Sequence, residues 1–229
     1  MSTSAQTTHT ERPIIFGAES VRAILDGRKT QTRRVVKPQP RFTHYLQPMF
    51  GASPDGHTFG EPGLWREVGP DYPDCGEDDR RCPFGAVGDR LWCRETFSRP
   101  YVATEHDHGC IYLADGPDHV TSLDQRKRNW GKGDGAWMSP IFMPRNVSRL
   151  TLEVTNVRVE RLQEMPYGDI RREGVGCPTH DFESGFCTSA CGDLVREWIR
   201  SWDALNAKRG FPWAESPWVW VIDFQMVAA

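Results

Sequence analysis

The sequence predicts a mainly β fold of the α+β class, a small β-barrel with two or three short helices and long irregular insertions. Apolar residues alternate along residues 149–161, and their phase slips by one at Thr155-Asn156, as it does at a β-bulge that bends a barrel strand. Residues 218–227 are apolar on both faces, which suits a strand covered on both sides. Residues 20–36 show the pattern of a short helix, a glycine and a strand.

The N-terminal helix and strands are predicted from their apolar and β-branched patterns and from the glycines that end or precede them. Residues 20–25 are predicted to form a short helix with Val21, Ile24 and Leu25 on one face, and Gly27 is well placed to end that helix. β-Branched residues at alternate positions predict a strand over residues 30–36. A Gly-Asp turn at residues 88–89 leads into a strand that ends at residue 97.

The rest of the chain adds a short strand at residues 111–113 and two helices. The first helix is expected at residues 167–172. Asp193 is expected to cap the second, which Gly210 closes. Its apolar stripe consists of Leu194, Val195, Trp198, Ile199, Trp202 and Leu205.

Residues 13–229 are expected to be a single domain, because the chain length suits one core. The polar residues 1–12 are expected to be a disordered tail. Three segments rich in polar and turn-forming residues, without periodicity, are interpreted as insertions at about 41–88, 115–137 and 174–192.

Composition excludes several classes of protein. The net charge of −3 means that any basic surface is local rather than global. Seven cysteines at irregular spacing, without an export signal, favour a reduced cytoplasmic protein over a disulfide framework. No apolar run is long enough to cross a membrane.

A basic cluster lies at the helix-glycine-strand junction. Arg28, Lys29, Arg33 and Arg34 are close together, with Asp26 opposing them. Arginines in such a cluster can bind the phosphate groups of a nucleotide or nucleic acid. A solvated basic edge strand is the alternative interpretation.

The order of residues in this junction resembles a known family. Gly27, Lys29 and Arg34 match the Gly-x-Lys-x-x-x-x-Arg signature of the ASCH family, and Gly88-Asp89 resembles its Gly-Asp turn. The longer phrases around these motifs are similar to bacteriophage- and prophage-encoded members. The resemblance implies a PUA-like barrel with a positively charged cleft for RNA or modified nucleosides.

One departure from the family pattern suggests a reaction. Many members have Glu three residues after the lysine, where this chain has Thr32. The Lys-x-x-Thr pattern resembles the acetylcytidine amidohydrolases, whose reactive group also includes a Glu on the later short helix. Glu173 occupies that place here. The resemblance therefore implies a catalytic set of Lys29, Thr32 and Glu173.

Amide hydrolysis gives each of these residues a plausible role. Thr32 could attack directly or position a water. Lys29 could accept a proton, or stabilise an oxyanion as a cation, while Glu173 could protonate the leaving amine or activate water. The alternative is that Lys29 and Glu173 form an ion pair that only closes the barrel.

Three functions follow from these expectations. The first is an enzyme that hydrolyses an amide on an acylated cytosine-type nucleoside. The second is a non-catalytic module that binds RNA or modified nucleic acid. The third is a phage accessory or host-interaction protein that reuses the fold, since fold does not fix function.

Two residues of the predicted strand that follows the Gly-Asp turn are further candidates for ligand binding. Trp92 is either a core residue or a platform on which a base stacks. Glu95 could accept a hydrogen bond from the exocyclic amine of a base, or it could form a surface pair with Arg94.

The third insertion contains residue types that bind zinc, namely Cys177, His180, Cys187 and Cys191. A structural zinc ion would hold an irregular segment together, although the spacing is loose and such cysteines are often small buried residues. No other cofactor is expected.

Overall fold

The computed structural model describes residues 9–40, 45–48, 51–52, 58–59, 64–68, 79–98, 110–116, 137–176 and 191–227. The fold is α+β, with few helices. The strands are β1 (Glu11–Ile15), β2 (Gln31–Val35), β3 (Tyr45–Pro48), β4 (Gly51–Ala52), β5 (Thr58–Phe59), β6 (Leu64–Val68), β7 (Asp79–Arg81), β8 (Arg90–Arg94), β9 (Phe97–Ser98), β10 (Ile111–Tyr112), β11 (Thr151–Arg161) and β12 (Trp218–Val227). The α-helices are α1 (Ala18–Leu25), α2 (Tyr167–Arg172) and α3 (Gly192–Asn206).

A five-stranded mixed sheet contains all four of the long strands predicted from sequence. Its order is β1-β8-β11-β12-β2, with β1 parallel to β8 and the other neighbours antiparallel. The pairing of β11 with β12 shifts between Val154 and Asn156, which confirms the predicted bulge. Within the described residues the ladder does not close, because β1 and β2 are its two free edges.

Two apolar layers pack on opposite faces of β12. Trp218, Trp220 and Ile222 face a core shared with α1, whereas Val219 and Val221 face a second core beneath α2 and α3. Side chains alternate along a strand, so a strand covered on both sides is apolar at successive positions. The burial of residues 218–224 confirms the prediction for the final strand.

Two local expectations are wrong. Residues 11 and 12 belong to β1 rather than to a disordered tail. Pro13 is tolerated there because β1 is an edge strand that needs partners on one side only. The long helix α3 has Cys191 rather than Asp193 at its N-cap, and Asp193 lies in the first turn, where it pairs with Arg196.

Small sheets occur inside the first predicted insertion. Strands β3, β6 and β7 form one of them, and β4 pairs with β5. A further two-stranded sheet joins β9 and β10. No helix in the described part of the chain is long and apolar enough to cross a membrane.

Candidate functional site

The candidate site lies where side chains bridge the two free edges of the five-stranded sheet. Arg34 on β2 donates from Nη2 to the backbone oxygen of Ile15 on β1, at 2.6 Å. The ring of Phe16, which follows β1, lies 5.2 Å from the Arg34 guanidinium and 5.8 Å from Lys29 Nζ. Two cations from the basic junction therefore meet over one aromatic ring.

A glycine turn brings Lys29 to this opening. Gly27 has a φ of +72°, a left-handed conformation that glycine adopts easily, and β2 begins only at Gln31. Lys29 therefore lies outside the strand, where it forms an isolated antiparallel bridge with Glu173. The backbone N–H of Thr30 donates to Arg172 at 2.9 Å, which fastens the turn to the end of α2.

Lys29 and Glu173 form a buried ion pair. Lys29 Nζ lies 2.9 Å from Glu173 Oε2, and it also donates to the Glu173 backbone oxygen at 2.7 Å. The two residues are only 5% and 9% exposed. Burial lowers the pKa of the Lys29 ammonium below its ordinary value, against the opposing charge of Glu173. Lys29 and Glu173, which the sequence analysis placed together, are therefore in contact, and the ammonium of Lys29 is shielded from solvent.

Thr32 faces the same core as Lys29 and Arg34. It pairs with Ile222 across the ladder, as Arg34 pairs with Trp220, and cross-strand partners share a face. Thr32 is 4% exposed. In the described part of the chain the side-chain hydrogen bonds of Lys29 and Glu173 join these two residues to each other and Glu173 to Arg33, and none of them involves Thr32.

Arg33 projects from the opposite face of β2, where its guanidinium has several hydrogen-bond partners. Its side chain is 1% exposed and donates to Gln31 and to three carboxylates. Those acceptors are Glu160 at 2.5 Å, Asp169 at 2.8 Å and Glu173 Oε1 at 3.1 Å. These carboxylates keep the pKa of Arg33 above its ordinary value, although burial acts to lower it. Glu173 is therefore held by Arg33 through one oxygen and by Lys29 through the other.

Further ion pairs extend this network along the sheet. Asp223 on β12 accepts from Gln31, Asn156, Arg158 and Arg172. Burial acts to raise the pKa of Asp169, but hydrogen bonding and positive charge, chiefly from Arg33, outweigh it and hold that pKa below its ordinary value.

Sequence reasoning missed the carboxylates that neutralise the basic junction. Glu160, Asp169 and Asp223 come from two strands and a helix that are distant from Arg33 along the chain. Asp223 did carry a signal, since it is an isolated acid in an otherwise apolar strand, and buried acids need partners. Arg28, for its part, pairs with the exposed Asp26 at 2.7 Å.

Arg34 differs from Arg33 because it has no carboxylate partner among the described residues. Its Cζ lies 5.2 Å from the centre of the Phe16 ring and 5.8 Å from the centre of the Phe84 ring. Nε is enclosed and has no hydrogen-bond partner. Burial lowers the pKa of Arg34, and the nearby charge of Glu173 opposes that shift.

Glu95 and Trp92 lie in separate surroundings. Glu95 is 1% exposed and accepts two hydrogen bonds from Arg149, at 2.8 Å and 3.0 Å, rather than pairing with Arg94. Burial raises the pKa of Glu95 against the charge of Arg149. Trp92 is buried, with the Arg94 guanidinium 4.7 Å from its ring and Arg145 at 6.0 Å.

Three of the four predicted zinc ligands, Cys177, His180 and Cys187, lie outside the described residues. Cys191 is buried at the N-cap of α3, where its backbone N–H donates to the Tyr167 hydroxyl. The described residues contain no group of three or more metal-binding side chains. The zinc site stays a prediction from sequence.

Comparison of the chain with family models, curated proteins and solved structures gives no match. The resemblance to the ASCH family therefore rests on the motifs in the sequence.

Proposed function

We propose that this chain is an ASCH-like, PUA-like protein that binds a modified nucleoside and hydrolyses an amide on an acylated cytosine-type base. The observation that carries the proposal is the buried Lys29–Glu173 ion pair at 2.9 Å. Thr32 pairs with Ile222 and so faces the core that also contains Phe16, whose ring centre lies 5.8 Å from Lys29 Nζ. The resemblance to acetylcytidine amidohydrolases names the same three residues.

The ion pair supplies a base and an acid from a single proton. Transfer of one proton from Lys29 to Glu173 yields a neutral amine and a neutral carboxylic acid. Burial penalises the charged ammonium of Lys29 and lowers its pKa, which makes Lys29 the proton donor in this exchange.

The proposed reaction then has two halves. Lys29 accepts the hydroxyl proton of Thr32 while the oxygen attacks the amide carbon. The carbon–nitrogen bond breaks as Glu173 gives its proton to the leaving exocyclic nitrogen, which leaves the acyl group on Thr32. A water then breaks the bond between the acyl carbon and the Thr32 oxygen: its hydroxyl group completes the carboxylic acid and its proton returns to Thr32. The proton held by Lys29 passes back to Glu173.

A small ligand suits the charge distribution better than a nucleic-acid polymer does. Arg28 and Arg33 already have carboxylate partners, so fewer cations of the basic junction are free to bind a phosphate backbone. Polymer binding draws its affinity from many such contacts and weakens steeply with salt.

The test is product formation from acylated nucleosides, beginning with N4-acetylcytidine. The wild-type protein should release cytidine and acetate. Glu173→Gln should lower kcat by on the order of a hundredfold or more, because a general acid is lost. A matched control is Glu160→Gln, which removes another carboxylate from Arg33 without touching Lys29, and which should keep most of the turnover.

A second variant separates the two roles open to Lys29. Lys29→Arg keeps a positive charge beside Glu173, but arginine does not deprotonate in proteins. Loss of turnover in a folded Lys29→Arg protein supports proton transfer. Full turnover in this variant, or in Glu173→Gln, contradicts the mechanism.

A further inference from the structure

We propose that Arg34 binds a phosphate monoester, so that the substrate is a nucleotide rather than a neutral nucleoside. This inference rests on the proposed function and names the class of substrate at the same site. It also separates Arg34 from its neighbours Arg28 and Arg33, which the sequence groups into one basic cluster.

The first support is an imbalance of charge in the buried network. The cations Lys29, Arg33, Arg158 and Arg172 all have carboxylate partners. Arg34 has none in the described residues, and its one hydrogen bond goes to a backbone oxygen. Enclosing a charge without a counter-ion is costly, and an anionic ligand removes that cost.

The second support is the way in which Arg34 is held. Its Cζ lies 5.2 Å and 5.8 Å from the centres of the Phe16 and Phe84 rings, and Nη2 donates to the backbone oxygen of Ile15. Nε is unpartnered but closed to solvent. The two Nη groups are therefore the donors with which Arg34 binds phosphate oxygens.

The third support is the distance to the proposed reaction centre. Lys29 Nζ and Arg34 Cζ both lie within 6 Å of the Phe16 ring centre, so they are no more than about 11 Å apart. This upper bound places both cations within the length of one nucleoside monophosphate, with its base amide at Lys29 and its phosphate at Arg34. The positive charge of Arg209 also acts on Arg34 and lowers the pKa of its guanidinium.

The experiment compares N4-acetylcytidine, its 5′-monophosphate and a short acetylcytidine-containing RNA, by calorimetric binding and by turnover. The wild-type protein should bind the monophosphate about 10- to 100-fold more tightly than the nucleoside, as expected for hydrogen bonds between charged groups. Arg34→Met should abolish most of that preference, and Arg34→Lys should reduce it, since an ammonium lacks the planar fork.

Arg161→Met is the matched control. Arg161 is half-buried, its guanidinium lies 4.6 Å from the centre of the Trp218 ring, and it donates to the backbone oxygen of Ser216. Like Arg34, it therefore contacts an aromatic ring and a backbone oxygen. It should keep the preference for the monophosphate. Melting curves identify any Arg34 variant that has lost its fold. If Arg34→Met is unfolded, the preference for the monophosphate is compared between wild type and Arg34→Lys.

The outcomes separate the two proposals. Tighter binding of the monophosphate that depends on Arg34, without hydrolysis of any substrate, supports the phosphate site and contradicts the proposed function. Hydrolysis with equal kcat/KM for nucleoside and monophosphate overturns the phosphate site alone. A preference that survives in both Arg34 variants, or an Arg34-dependent gain that appears only with the RNA, also overturns it.

Discussion

Replacing Arg33 with methionine should destabilise the protein strongly. The Arg33 side chain is 1% exposed and contacts three carboxylates at 2.5–3.1 Å, so its removal leaves buried negative charge without a partner. Breaking a buried ion pair from one side costs about 3–5 kcal/mol. For a chain of this length that loss corresponds to a fall in Tm of roughly 6–20 °C.

The assay is thermal unfolding of wild type and Arg33→Met as a function of pH. The folded-state pKa of Asp169 is depressed, so its contribution to stability is present above its unfolded pKa and is lost as the pH falls through the folded pKa. The difference in Tm between wild type and Arg33→Met should therefore be largest at neutral pH and should shrink below about pH 4.

Arg28→Met is the control for this prediction. Arg28 and Asp26 form an exposed pair, with side chains 43% and 55% exposed, and such pairs contribute about 0–1 kcal/mol. A Tm of Arg33→Met equal to that of Arg28→Met would refute the reasoning. A difference from wild type that did not change with pH would refute the part assigned to Asp169.

Two further predictions concern the site and the third insertion. Gly174→Ala should destabilise the protein more than Gly27→Ala and should lower turnover: both positions have positive φ, but a Cβ at Gly174 would lie 2.7 Å from the Lys29 Cβ, whereas Gly27 faces open space. Thermal unfolding and kinetics of both variants check this, and equal losses would contradict it. If zinc is present, chelation should loosen residues 176–192 only, as hydrogen exchange would report; purified protein without zinc by elemental analysis would remove the hypothesis.

Much of the sheet was predictable because its signals are local. The phase slip at Thr155-Asn156 gave the bulge, and the apolar residues 218–224 gave a strand covered on both faces. The strand β1 was missed because its strand partner β8 lies far along the chain and because Pro13 argues against a strand.

The site was predictable only in part. Residues three apart on a strand point to opposite faces, so Lys29 and Thr32 can share a side only if a turn precedes the strand. The structure has that turn at Gly27, and β2 begins at Gln31. Alternation placed Arg33 and Arg34 on opposite faces, but it could not indicate which face would meet carboxylates. That assignment depends on Glu160 and Asp169, whose positions follow from tertiary packing rather than from any local pattern.

The most direct test of the central claim is single-turnover release of acetate from N4-acetylcytidine and its 5′-monophosphate by wild type and Thr32→Ala. Both proteins should be compared at a temperature where melting curves show them folded. The account predicts release by the wild type and a rate at least about a hundredfold lower in Thr32→Ala. Release at the wild-type rate by Thr32→Ala, or none by the wild type from either substrate, would contradict it.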